Sequence, residues 1–350
     1  MRKHKAIRVG RISFLINISA TIIMSTLLVL LLGLFLLSAG MGELFIGPLN
    51  IIQIIFGQGS EFEQLIVTSF RLPRIIIAIL AGICLAVAGA ILQGLVRNPL
   101  ASPDLIGLTG GASVAVVLFL TLFSDENHSL TVSIHWLPLS AFIGASVVAL
   151  LLYVLAWKGG VSPITLILVG IGLTALTKSL TTLFMIMGPI YQASQANIWI
   201  TGSVYGSNWK NVYTLLPVTC LLVVISFIMV RHVNIQELGE DMAKNVGHHV
   251  QKSRLSLLLI STALTGSAVA FAGGISFVGL LAPHIARRLV GSSFGSLLPV
   301  SALIGAILVL VADLIGRTMF LPIEVPAGVF TAAIGAPYFI YLLYKQRNAS

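Results

Sequence analysis

Apolar residues run along this chain in long blocks separated by short polar seams. Several blocks reach the roughly 20 residues an α-helix needs to cross a hydrocarbon layer. None shows the alternating polarity of a membrane β-strand, about ten residues at a time. The pattern predicts ten helical spans, at about 12–38, 72–95, 105–123, 137–157, 163–187, 211–230, 255–274, 276–290, 297–316 and 327–344. The eighth is the weakest, being short and interrupted by Pro283.

Composition strengthens that reading. The 350 residues are 57% hydrophobic and only 9% charged, whereas a soluble domain carries roughly 25% charged residues. An all-α integral membrane protein is expected, with residues 1–350 forming a single transmembrane domain. The basic cluster Arg2, Lys3, Lys5, Arg8 and Arg11 precedes an apolar run over residues 12–37. A signal peptide has an apolar region of only about 7–15 residues, so this run reads as a retained first span. Cys84 and Cys220 both fall inside apolar segments and read as packing residues.

The net charge of +9 reports topology rather than nucleic-acid binding. With both termini on the cytoplasmic side, 15 of the 20 Lys and Arg lie in cytoplasmic segments. Arg71, Arg74, Lys210 and Arg317 fall outside, and Lys178 lies within a span. That bias is the one the positive-inside rule predicts. Seven charged residues crowd into the island from Arg231 to Arg254, a polar surface on which a soluble partner can grip.

A repeat is hidden in the apolar background. Shifting the chain by 184 residues brings Leu80, Gly82, Ala86, Ala88, Gly89, Ile91 and Pro99 onto Leu264, Gly266, Ala270, Ala272, Gly273, Ile275 and Pro283. The matched helices are the second and seventh spans, so they run in opposite directions. An inverted repeat is expected, with halves at about 72–187 and 255–344, an architecture common among transporters. Gly82, Ala86 and Ala90, like Gly266, Ala270 and Gly274, recur every four residues and permit close helix packing.

The most specific stretch runs from Arg71-Leu72-Pro73-Arg74 through Gln93-Gly94 and Asn98-Pro99-Leu100-Ala101 to Gly110-Gly111-Ala112-Ser113. Leu238-Gly239-Glu240, Gly274-Ile275-Ser276-Phe277-Val278-Gly279-Leu280, Pro283-His284 and Ala312-Asp313 continue it, and Gly335-Ala336-Pro337 closes it. Over roughly residues 40–345 the chain resembles the permease subunits of type II ATP-binding-cassette (ABC) importers for ferric siderophores, haem and cobalamin, the FecCD and BtuC-like permeases. The resemblance is nearest to Gram-positive siderophore permeases. It implies ten spans and a paired permease, a heterodimer or a homodimer. It also implies cytoplasmic ATPase subunits and an extracytoplasmic substrate-binding lipoprotein, in a bacterial cell membrane. The cargo it implies is a ferric siderophore, with hydroxamates favoured over catecholates. No phosphate-binding G-x-x-x-x-G-K-[ST] loop occurs, so ATP hydrolysis is expected in a partner. Neither a cofactor nor a resident metal is expected; the adjacent His248 and His249 lack metal-ligand spacing.

Residue roles follow from the resemblance. It places Leu238, Gly239, Glu240, Ala243 and Gly247 in the loop that seats on the ATPase; an ordinary solvated loop is the plainer alternative. It assigns Arg71, Arg74 and Arg317 to docking the binding protein, for which directional Arg–carboxylate bonds are suited. Arg317 equally matches an i,i+4 pair with Asp313. Ser162, Pro163, Ile164 and Thr165 fall at the inner gate, though Ser-Pro is also a plain helix start. Lys178, deep in a span, either faces the pathway or bonds to nearby carbonyls. An ion-coupled secondary transporter is the rival class, but Asp313 is the sole acid within a predicted span. No paired catalytic residues support an intramembrane enzyme.

Overall fold

The computed structural model describes residues 4–9, 12–124, 131–157, 162–188, 190–237 and 239–347. An antiparallel hairpin, β1 (His4–Val9) with β2 (Ile12–Asn17), precedes α1 (Ile18–Gly40). The first span therefore starts later than the apolar run suggested. Residues 12–17 pair with the strand before them, and Asn17 Oδ1 accepts from the Ser19 and Ala20 N–H groups, capping a helix that begins at Ile18.

Two short helices follow, α2 (Pro48–Ile55) and α3 (Glu61–Leu65), and a π-helical segment over Ile66–Arg71 leads into α4 (Leu72–Val96). The π segment has a local cause. Pro73 has no N–H to offer the Ser69 carbonyl, and the Leu72 N–H reaches back five residues to Val67. Next come α5 (Leu108–Leu122), α6 (Leu137–Ala156), α7 (Pro163–Met187), α8 (Ile190–Thr201) and α9 (Trp209–Ile228). The polar island folds into α10 (Val230–Glu237) and α11 (Glu240–Asn245). The chain closes with α12 (Val250–Ala272), α13 (Val278–Val290), α14 (Phe294–Thr318) and α15 (Ala327–Arg347).

Ten of these helices, α1, α4 to α7, α9 and α12 to α15, fall on the ten expected spans. Seven of the segments are long and apolar enough to cross a membrane by themselves. The doubtful eighth span exists as α13, with Pro283 inside it.

α4 is the axis of the bundle and packs against α9, α12, α13 and α14. Lipid tails supply no hydrophobic force between helices, so close approach at small residues carries the association. Gly82 lies against the backbone of Gly305 and Ala306, and Gly89 against Gly279; a Cβ at either position would collide with backbone. Arg74 sits beside Asp313, Gly82 beside Gly305 and Gly94 beside Phe294, so α4 and α14 run antiparallel. α4 and α12, the two helices matched by the 184-residue shift, pack against each other. The Ser261 hydroxyl joins them, donating to the Ala88 carbonyl at 3.1 Å.

Two connectors meet inside the bundle. Asp104, between α4 and α5, accepts the Phe277 N–H at 3.0 Å, between α12 and α13. Phe277 takes a left-handed conformation, φ 65°, and packs on Gly335 of α15.

Candidate functional site

Three places carry chemistry: a charged knot at one end of the bundle, the folded island at the other, and a recess between them. The knot brings together Arg71, Arg74 and Arg317, which come from two distant stretches of chain. A cleft of about 510 Å³ opens beside them, lined also by Glu43, Tyr205 and Glu324. None of the three arginines presents a free guanidinium. Arg71 donates to the Ala39 and Gly40 carbonyls at 2.8 and 3.0 Å and also to Leu44, in space that Gly42 leaves open. Arg74 forks onto Asp313 at 2.8–3.2 Å, and its other nitrogen reaches Glu324 at 2.8 Å. Arg317 donates to Met41 O at 2.7 Å and to Ser38 Oγ at 2.7 Å, and also to Ser38 O. It closes the i,i+4 pair with Asp313 as well, at 3.7 Å. Asp313 is only 2% exposed, so the two guanidiniums are what make its burial tolerable. The knot thereby ties α4 and α14 to the end of α1. Glu324 is its one half-open member.

At the opposite end, α11 stands between Gly239 and Gly247, both with positive φ, 116° and 76°. Nothing packs where their Cβ atoms would be, so backbone conformation alone asks for glycine there. Ala243 is fully buried under α11, while Met242 beside it is exposed. Leu238 lies outside the described residues; Glu240 opens the helix. Arg287 of α13 bonds Glu237 of α10 at 3.2 Å and fastens the island to the bundle. The His232 and His248 rings lie 5.2 Å apart. Burial first, then His232 and His249, hold the His248 imidazole below its ordinary pKa.

The recess opens beside the C-terminal half of α7 and measures about 310 Å³. Ser113 of α5, Thr174, Thr177, Lys178 and Thr181 of α7, and Asn197 of α8 line it. Lys178 is exposed, as are Ile164, Leu168 and Ile171 on the same stripe of α7. At the start of that helix Ser162 is a plain cap: its hydroxyl accepts the Thr165 N–H at 3.2 Å and pairs with Thr165 Oγ1 at 2.8 Å. Pro163 occupies the first turn, and Ile164 is 71% exposed.

Sequence reasoning missed several of these partners. Ser38, Asp104, Asn197 and the Glu237–Arg287 bond have no local signal, because each acquires its role from a residue far away in the chain. The threonines of α7 did carry one. Thr174, Thr177 and Thr181 recur at helical spacing, which puts them on one face.

Similarity to known proteins gives this geometry its context. A model of the FecCD transport family matches residues 28–345. The Bacillus subtilis (strain 168) protein YfhA, named as a siderophore transport system permease, is 61% identical over 330 residues, covering 94% of this chain and 96% of YfhA. FhuG of the same organism, named as an iron(3+)-hydroxamate import system permease, is 44% identical over 325 residues, covering 93% and 97%. A solved structure described as a metal-chelate type ABC transporter in an inward-facing conformation superposes with a TM-score of 0.80 at 30% identity, covering 93% of this chain and 99% of that one. The helical architecture is thus that of type II ABC importer permeases.

Proposed function

The chain belongs to the FecCD transport family, and from that premise we propose that it moves ferric hydroxamates through a path beside α7. It is a multi-pass membrane permease for siderophores or iron chelates, a transport component of an ABC importer rather than a catalytic enzyme. Family membership implies ATPase subunits, a substrate-binding partner and a second permease. In our reading the second permease is a sister chain forming a heterodimer, and both termini lie in the cytoplasm.

The observation that carries this reading is the polarity of the bundle. α11, with Glu240 and Ala243, lies at one end between the positive-φ glycines Gly239 and Gly247, and the charged knot closes the other. The ATPases act on the α11 end, and Glu237–Arg287 passes the push into α13. The binding lipoprotein meets the knot. Since Arg71 and Arg317 are spent on backbone and Asp313, Arg74 is the arginine placed to bond a carboxylate, by exchanging Glu324 for it. Ser162, Pro163, Ile164 and Thr165 open onto the inner end of the path, and Lys178 lies along it.

FhuG supports the hydroxamate assignment, and YfmE of the same organism, also 44% identical, is named for Fe(3+)-citrate import. ATP-dependent uptake of labelled ferric hydroxamate tests it, in cells lacking this chain and in cells with it restored. Uptake lost and rescued is the expected result. Unchanged uptake moves the cargo to citrate-type chelates, catecholates, haem or cobalamin.

A further inference from the structure

The recess beside α7 has an unusual division of donors and acceptors. Thr174 donates to the Gly170 carbonyl at 2.8 Å, Thr177 to Leu173 at 2.9 Å, Thr181 to Thr177 at 2.8 Å and Thr182 to Lys178 at 3.0 Å. Ser113 does the same on α5, donating to Thr109 at 3.1 Å. Their protons are committed to the helix backbone, so the hydroxyls offer the recess lone pairs and little else.

Against this acceptor wall stands one full charge. Lys178 is the sixteenth residue of α7, so about 13 Å of helix remains beyond it and more than 20 Å lies before it. Among the described residues no carboxylate pairs with it, and no acid lines the recess. A lysine at that depth is costly against lipid and is tolerated where it meets water or a partner. Thr174 and Thr181 sit within a turn of it on the same wall, which makes water the natural occupant here.

We propose that Lys178 makes this recess a charge filter, favouring passage of ferric chelates with net negative charge over uncharged ones. This rests on the reading of α7 as the wall of the path. A citrate-backbone hydroxamate that keeps a free carboxylate is the chelate class that satisfies both. The charge draws such a cargo in, and a wall of spent hydroxyls gives it few directional bonds to hold. Attraction without tight binding is what a conducting site requires.

A cargo-independent test uses thiol chemistry on the complete, reconstituted importer. Exposed Cys220 is replaced by Ser, leaving buried Cys84, and Thr182→Cys places a thiol one turn from Lys178. Its modification rates are measured with anionic sulfonatoethyl and cationic trimethylammonioethyl methanethiosulfonate, with and without Lys178→Met. The anion-to-cation rate ratio is expected to fall by about three- to tenfold on removing the lysine, from one charge acting across a helical turn in a wet site. An unchanged ratio overturns the filter. A thiol unreactive to both reagents overturns the aqueous recess. Uptake of ferrichrome, an uncharged chelate, and of anionic ferric dicitrate by the same importer separates the two readings. If neither chelate enters even with Lys178 present, the cargo assignment falls, while the thiol ratio still decides the filter.

Discussion

Asp313 and Lys178 are both lone charges in apolar spans, and the fold treats them in opposite ways. Asp313 is buried and clasped by Arg74 at 2.8 Å and Arg317 at 3.7 Å. Lys178 is exposed in a recess whose hydroxyl protons have all been turned away from it. A charge that holds helices together has to be saturated, because an unpaired buried charge costs several kcal/mol. A charge that meets a passing ligand has to be left unpaired. On the proposed reading of α7, the difference separates scaffold from pathway.

The comparison breaks if the two ends respond alike to mutation. Asp313→Ala carries the largest expected effect, since it strands Arg74 and Arg317; about 3–5 kcal/mol of stability is at stake. Thermal unfolding of the detergent-solubilised chain reads it, and a Tm equal to wild type would dissolve the idea of a structural knot. Arg317→Lys keeps the charge but loses the planar fork that serves Ser38, Met41 and Asp313 together. An intermediate loss of about 1–3 kcal/mol is expected from the hydrogen bonds forfeited. Glu324→Gln touches the exposed rim of the knot, where an ion pair contributes about 0–1 kcal/mol. Its Tm should stay near wild type.

Lys178→Met sharpens the contrast from the other side. Among the described residues it removes no ion pair, so no drop in Tm is expected; a loss as large as that of Asp313→Ala would show that Lys178 is structural. The island carries a small, pH-dependent effect. The His248 pKa is depressed in the folded chain, so folding opposes its protonation. Stability from this group is complete above about pH 6.5 and falls as pH drops below the unfolded value. A slight fall in Tm between pH 7 and 5.5, flattened by His248→Gln, is the expected result.

Much of the fold was legible in the chain because length and apolarity alone define a membrane span. Eight of the ten spans begin within three residues of where hydropathy places them; α12 starts five residues early, at Val250, and α1 starts six late because Asn17 caps it after a hairpin that hydropathy does not register. α8 stayed hidden, being too short and too polar to announce itself. Gly239 and Gly247 were legible only through the resemblance; the structure supplies the local reason, a positive φ that asks for glycine whatever surrounds it.

The partners of the charges were another matter. Arg71, Arg74 and Arg317 are conspicuous in the sequence, where they read as surface groups awaiting a carboxylate. Only the tertiary structure showed that Arg71 is spent on the end of α1 and that Arg317, beyond the i,i+4 pair with Asp313 that its spacing already suggested, holds Ser38 and Met41. The same holds for Lys178, whose depth is plain from position while its open surroundings depend on α5 and α8. Hydropathy is a local sum and survives in one dimension. Whether a charge is quenched or free depends on which atoms come within about 4 Å, and residues 239 positions apart, such as Arg74 and Asp313, become neighbours only on folding.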